Sequence, residues 1–173
     1  TDMRTLFMNS QFNGNISKWD TSNVIDMGGR NGGMFSSSEF NGNISNWNVS
    51  NVVTMNYMFS DSKFNSDISK WNVSNVINMS YMFRRSIFNK DISKWNMLNV
   101  NTIRGMFQNS KFNKDISKWN VTNINNMKDL FQGSQFNQNI TKWCVEHINS
   151  EPVNFASNSP LNNNNKPKWS YTC

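Results

Sequence analysis

The side chains that could do chemistry in this 173-residue chain are few. They are one histidine, His147, two cysteines, Cys144 and Cys173, and a column of aspartates at Asp67, Asp91 and Asp115. A metal centre needs a cluster of N, S or O ligands at suitable spacing, and one histidine with two cysteines does not supply it. A nucleophile–histidine–acid triad would have to use His147, and no serine motif lies beside it. No glycine-rich phosphate loop and no calcium-loop pattern occurs. Identical acids repeated at one phase point to structure and not to a paired acid and base. The expectation is a chain without catalytic residues, resident metal or cofactor.

Two sets of polar residues are better placed for binding. Ser69, Ser93 and Ser117 precede Lys70, Lys94 and Lys118, and Lys18 and Lys142 share the lysine phase. If the segment carrying them is a strand, they form a stripe of hydroxyls and ammonium groups suited to an acidic glycan or acidic protein. The bland alternative is a solvated face on which lysine and aspartate columns offset each other. The second set is Gly29, Arg30, Asn31 and Gly32, four extra residues in one repeat, which read as a protruding loop. Arg84, Arg85, Lys90, Lys111 and Lys114 add positive charge where the repeats vary most.

What must position these groups is a repeat. Phe-Asn pairs recur at Phe12, Phe40, Phe64, Phe88, Phe112 and Phe136. Each is followed seven residues later by a tryptophan, at Trp19, Trp47, Trp71, Trp95, Trp119 and Trp143. The step is 28 residues once and 24 thereafter, a period that signals stacked units touching only their neighbours. The reading divides the chain into a partial repeat at 1–11, five repeats at 12–39, 40–63, 64–87, 88–111 and 112–135, and a terminal repeat with its cap at 136–173.

In the unit 64–87, the apolar positions are Phe64, Ile68, Trp71, Val73, Val76, Met79, Met82 and Phe83. Val76, Met79, Met82 and Phe83 fall on one face of a short helix, with Ser74, like Ser22, Ser50 and Thr122, at the N-cap position. Asp67 to Trp71 reads as a short strand. One strand and one helical turn per unit predict an α/β repeat solenoid, leucine-rich-repeat-like, with a parallel strand in every 24-residue repeat. The tryptophans share the phase of the other apolar positions, which assigns them to the core and not to sugar stacking. Asn51, Asn75, Asn99 and Asn123 are expected to form ladders, and Ser38, Ser62, Ser86, Ser110 and Ser134 to close tight turns.

Composition sets outer bounds. Asparagine accounts for 34 residues, whereas there are four leucines and one alanine, which argues against a helical array. The net charge of +6 permits a polyanionic partner. Nucleic acid is the weaker choice, because single-strand binding needs exposed aromatics among the basic groups and these aromatics are committed to the core. No apolar run approaches the ~18 residues of a membrane span. Cys144 and Cys173, both near the end, read as a disulfide clamping a C-terminal cap and hence as an oxidising compartment; two unrelated thiols are the alternative. The sequons most worth testing for glycosylation are Asn48, Asn72 and Asn120. The chain opens in mid-repeat, since Met3 and Phe7 align with Met79 and Phe83. It therefore reads as a piece of a longer protein, with any signal or anchor upstream.

The string FN-x-DISKWNVSNV-x-NMS-x-MF resembles the BspA-like surface-protein repeat of roughly 25 residues, the DUF285 type first noticed in mycoplasma surface proteins. The similarity runs from Thr1 to Trp143, and the ending from Trp143 to Cys173 looks like the terminal cap of such proteins. It departs at Leu98 in the capping position, at Ile103 and Leu130 in methionine positions, and at the insertion. The resemblance implies a leucine-rich-repeat-like fold, an extracellular, cell-surface or virion-surface location, and a role as antigen, adhesin or interaction module. It carries no catalytic residue. The leading expectation is a non-enzymatic, surface-displayed module binding a protein or acidic glycan on a host or neighbouring surface. The alternative is a structural component or spacer of a virion or extracellular filament, self-associating through solenoid ends.

Overall fold

The computed structural model describes residues 1–173. It corrects the expected α/β leucine-rich-repeat-like solenoid. The one regular element is a 3₁₀ helix at Asn163–Asn165, in the cap. All 70 backbone–backbone hydrogen bonds lie in turns and loops. Parallel pairing is confined to isolated bridges that run Asp2, Asp26, Thr54, Asn78, Thr102, Asn126. Each repeat is a rung of consecutive turns, hydrogen-bonded to the rungs on either side.

The segment read as a helix shows why. Met82 N–H donates to the Met79 carbonyl, Arg84 N–H to Tyr81 and Ser86 N–H to Phe83, which are three-residue closures and not helical ones. Between them, the N–H groups of Met79, Tyr81, Phe83 and Arg85 donate to Thr102, Arg104, Met106 and Gln108 in the next repeat. Alternate amides therefore serve the turn and the neighbour. The geometry requires left-handed backbone at every fourth residue, with φ of 59° at Tyr81 and 52° at Arg85, as at the third position of a type II turn. A helix cannot pass through such residues. Left-handed backbone costs about 1–2 kcal/mol per non-glycine residue, offset here by the bonds between rungs. The bridging residue Asn78 lies inside the supposed helix.

The segment read as a strand is also a turn. Trp71 N–H bonds to the Ile68 carbonyl, and the Asp67 carboxylate accepts Ser69 N–H at 2.8 Å. Ser74 is not an N-cap; its own N–H donates to the Asn72 side chain at 3.2 Å, an Asx turn. Asparagine and aspartate occupy these phases because a short side-chain acceptor can close the backbone two residues on.

The core follows the predicted phase. Phe64, Ile68, Trp71, Val73, Val76, Met79, Met82 and Phe83 are all buried. Phe35, Phe59, Phe83, Phe107 and Phe131 stack rung on rung with ring centroids 5.6 to 5.9 Å apart. A second stack, from Phe12 through Phe136, has spacings of 6.2 to 6.5 Å. Each buried tryptophan donates its indole N–H to the isoleucine carbonyl of the rung before, as Trp71 does to Ile44 at 3.1 Å. Trp47 is 3% exposed, whereas Trp19 is 40% exposed.

Asparagine ladders form in two ways. Asn75 Nδ2 donates to the Ser50 carbonyl at 2.7 Å, and Asn51, Asn99 and Asn123 make the same bond one rung away. Asn41 and Asn65 accept the backbone N–H of Asn65 and Asn89 in turn. The serines before each phenylalanine are buried turn-closers: the Ser62 hydroxyl donates to Phe59 and accepts Phe64 N–H.

At the far end the stacking changes. Phe155 meets Phe131 edge-on at 88°, and Trp169 meets Phe155 at 82°. Cys144 and Cys173 form a disulfide with a Cα–Cα distance of 5.7 Å, tying the last residues to the final rung. No helix is long and apolar enough to cross a membrane.

Candidate functional site

The lysine column is built by the turn Ile68–Trp71 and its equivalents. Ile68 and Trp71 are buried, so the two residues between them, Ser69 and Lys70, form the outward corner. Lys94, Lys118, Lys142 and Lys18 occupy the same corner in other rungs. The aspartate before the corner is a structural acceptor: Asp67, Asp91 and Asp115 each take the N–H of Ser69, Ser93 and Ser117 at 2.8 Å.

Between two rungs these corners enclose a groove of about 530 Å³ lined only by polar side chains. Its walls are Asn89, Lys90, Asp91, Ser93, Lys114, Asp115 and Lys118. A smaller groove of about 260 Å³ continues beside it, lined by Asp115, Ser117, Gln138, Asn139, Thr141 and Lys142. Of the predicted strip, Ser93 and Lys118 enter the first groove and Ser117 the second. Ser69, Lys70 and Lys94 line neither. Lys90 and Lys114, visible in the sequence only as turn charges, are groove residues. Their phase, one residue before the aspartate, was the available signal; that the chain folds this phase over the neighbouring corner was not.

Charge is unbalanced along this edge. Lys18, Lys70, Lys90, Lys94, Lys114, Lys118 and Lys142 all lie more than 4 Å from any carboxylate, whereas every arginine but Arg30 is ion-paired. The three aspartates are held below the usual carboxylate range, first by the backbone N–H of the following serine and then by its side chain, with nearby lysines adding less. They stay ionised and fixed while the ammonium groups remain free.

These depressed values have a consequence for stability. Their contribution is complete above the unfolded carboxyl pKa of about 3.9 and is lost as pH falls through the lower folded values. Asn15, Asn43 and Asn139 make the same turn bond without a charge. Replacing Asp67, Asp91 and Asp115 together by asparagine should leave the neutral-pH melting temperature nearly unchanged and flatten its decline below about pH 4. Thermal melts across that range check it; an acid decline as steep as wild type counts against it.

The remaining candidates lie outside the lysine edge. The four-residue insertion is spliced between Met27 and Met34, and the Met34 N–H donates to the Met27 carbonyl at 3.0 Å. Gly32 N–H closes a turn onto Gly29, leaving Arg30 and Asn31 exposed. A Cβ at Gly33 would lie 2.5 Å from Met58 backbone atoms, so the loop's return leg needs glycine. With Asp2, Arg4 and Thr5 the loop lines a shallow polar hollow. His147 holds the phase of the ladder asparagines, but its Nε2 sits 3.0 Å from the Ile124 carbonyl, two residues beyond the ladder's acceptor position, and as partner of a carbonyl it is the donor. Glu146 lies beside Cys144 and Cys173, but both sulfurs are committed to the disulfide. The sequon residues Asn48, Asn72 and Asn120 are exposed and use Oδ1 to accept a backbone N–H.

No curated protein and no solved structure matches this chain. A family model does, twice and with overlap, over residues 1–110 and 62–169. The two matches take in both the aromatic stack and the lysine edge, and the chain belongs to the family described as mycoplasma protein of unknown function, DUF285.

Proposed function

We propose that this chain is a non-enzymatic, surface-displayed repeat module that binds acidic glycans through its lysine edge. The observation that carries the reading is the row of seven lysines free of ion pairs, set against aspartates immobilised in turns. Exposed cations at regular rung spacing attract an extended polyanion and respond to salt. The polar lining of the groove suits sulfate, carboxylate and hydroxyl groups and offers nothing to an apolar ligand. The disulfide is compatible with an extracellular location.

Heparin is a suitable probe. Replacing Lys90, Lys114 and Lys118 by glutamine should weaken its binding at least about tenfold and flatten the salt dependence. Binding by the triple variant equal to wild type would remove the groove from consideration.

A further inference from the structure

Arginine and lysine are segregated on this protein. All five arginines, Arg4, Arg30, Arg84, Arg85 and Arg104, fall in the turn that follows the bridge or in the inserted loop, and none lies in the lysine groove. The same turn carries Tyr57 and Tyr81, two aromatics that stand outside the core cluster. Their rings stack at 4.8 Å. Arg104 lies over the Tyr81 ring with its guanidinium carbon 5.6 Å from the centroid.

Arg104 is held in place and yet unsatisfied. Its Nε is buried without a hydrogen-bond partner, and its nearest acid, Asp129, is at 3.6 Å. Asp129 is itself buried and bound by Asn154 at 3.1 Å. The side chain as a whole is 41% exposed, so what faces solvent is the Nη fork. Arg85, 53% exposed, sits 3.6 Å from Asp61 and likewise makes no side-chain hydrogen bond. Arg84 is anchored on Gln108. Neither tyrosine hydroxyl has a partner among the hydrogen bonds of this turn.

Gly105 makes the arrangement possible. Its φ of +57° continues the left-handed column, and a Cβ there would lie 2.3 Å from the Tyr81 ring. Without a side chain at this position, Tyr81 leans across the next rung and comes to rest beneath Arg104.

We propose that Arg104, seated on Tyr81 and flanked by Arg84 and Arg85, forms a carboxylate-binding site that docks an acidic segment of a partner protein. A guanidinium fork matches a carboxylate with two parallel hydrogen bonds, and stacking on an aromatic ring leaves that fork free to do so. Tyrosine and arginine are the residue types that dominate protein-interface energetics. Charge pattern favours a protein over a nucleic acid. Asp61 and Asp129 within the patch repel a continuous phosphate backbone, whereas spaced carboxylates can reach the arginines between them. The two tyrosine rings also face each other, which removes a platform for bases. The proposal is independent of the lysine groove.

A short poly-glutamate peptide titrated into the full chain by calorimetry at low salt tests it. Arg104→Lys keeps the charge and loses the fork, and Gly105→Ala displaces Tyr81 without altering charge. Gly133→Ala is the control for backbone strain, having a φ of +64° and no tyrosine neighbour. In the Lys90, Lys114, Lys118 glutamine background, which weakens competition from the lysine edge for the peptide, the expected result is at least about tenfold weaker binding for Arg104→Lys and Gly105→Ala, with Gly133→Ala unchanged in that background. If Gly105→Ala does not fold, Arg104→Lys alone decides. The proposal is overturned if the peptide does not bind, if Arg104→Lys binds as wild type, or if only the lysine variant loses affinity. A thymidine oligonucleotide that binds as tightly and is equally weakened by Arg104→Lys overturns the protein assignment.

Discussion

Phe83→Ala should destabilise the protein by about 3–5 kcal/mol, the range for a fully buried phenylalanine that leaves a cavity. The ring is wholly buried and stacks on Phe59 at 5.7 Å, on Phe107 at 5.9 Å and on Phe88 at 4.1 Å. Its removal opens contacts with both adjacent rungs. Because each rung is supported only by its neighbours, the two flanking halves should then melt less cooperatively. Phe12→Ala is the contrasting case. Phe12 is 39% exposed and stacks on Phe7 at 4.9 Å, so its loss should cost less than half as much. Denaturant unfolding of both variants settles the point. Equal losses at the two sites would mean that stability does not come from ring stacking between rungs.

Reducing the Cys144–Cys173 disulfide should cost about 3–4 kcal/mol, the loop-closure entropy for a separation of 29 residues. The loss should appear first in the cap. Phe155 donates its N–H to Pro152 and receives the edge of Trp169, and Trp169 lies in the segment that Ser170 N–H ties to Ile148 and the disulfide closes at Cys173. Hydrogen exchange in 150–173 should accelerate on reduction before that in 64–87 does. A double Cys144→Ser, Cys173→Ser variant should reproduce the effect without reductant. If oxidised and reduced protein melt at the same temperature, the cap is held by packing alone.

These two variants probe parts of the molecule that are readable in the chain to different degrees. The core is readable almost completely. Burial selects residue type, and Phe64, Ile68, Trp71, Val73, Val76, Met79, Met82 and Phe83 recur because every rung buries the same positions. The cysteine pair is readable because two sulfurs near one end have few other uses. The backbone path is not. Val76, Met79, Met82 and Phe83 have helical spacing, yet turns with left-handed residues at Tyr81 and Arg85 present the same side chains to the core. Hydrophobic periodicity reports which side chains face inward, and two backbones can satisfy one pattern.

The candidate sites divide in the same way. That Lys70, Lys94 and Lys118 point outward follows from their place between buried isoleucine and tryptophan. That Lys90 and Lys114 join Lys118 around one groove depends on how successive corners overlap. Tyr57 and Tyr81 share one phase of the repeat, but Gly105 and Asp129 occupy it in the next two rungs, and the stack beneath Arg104 exists only because Gly105 leaves the space open.

Period, core composition, the outward set and the family are thus properties of the chain itself, since each rests on residue type at a fixed phase. Tertiary structure alone decides where each amide proton goes. Tyr81 N–H bonds to Arg104 and not to a residue four back, because a repeat of this length gains more by pairing with its neighbour than by coiling on itself. From that choice follow the turn-built rung and the two polar faces on its surface.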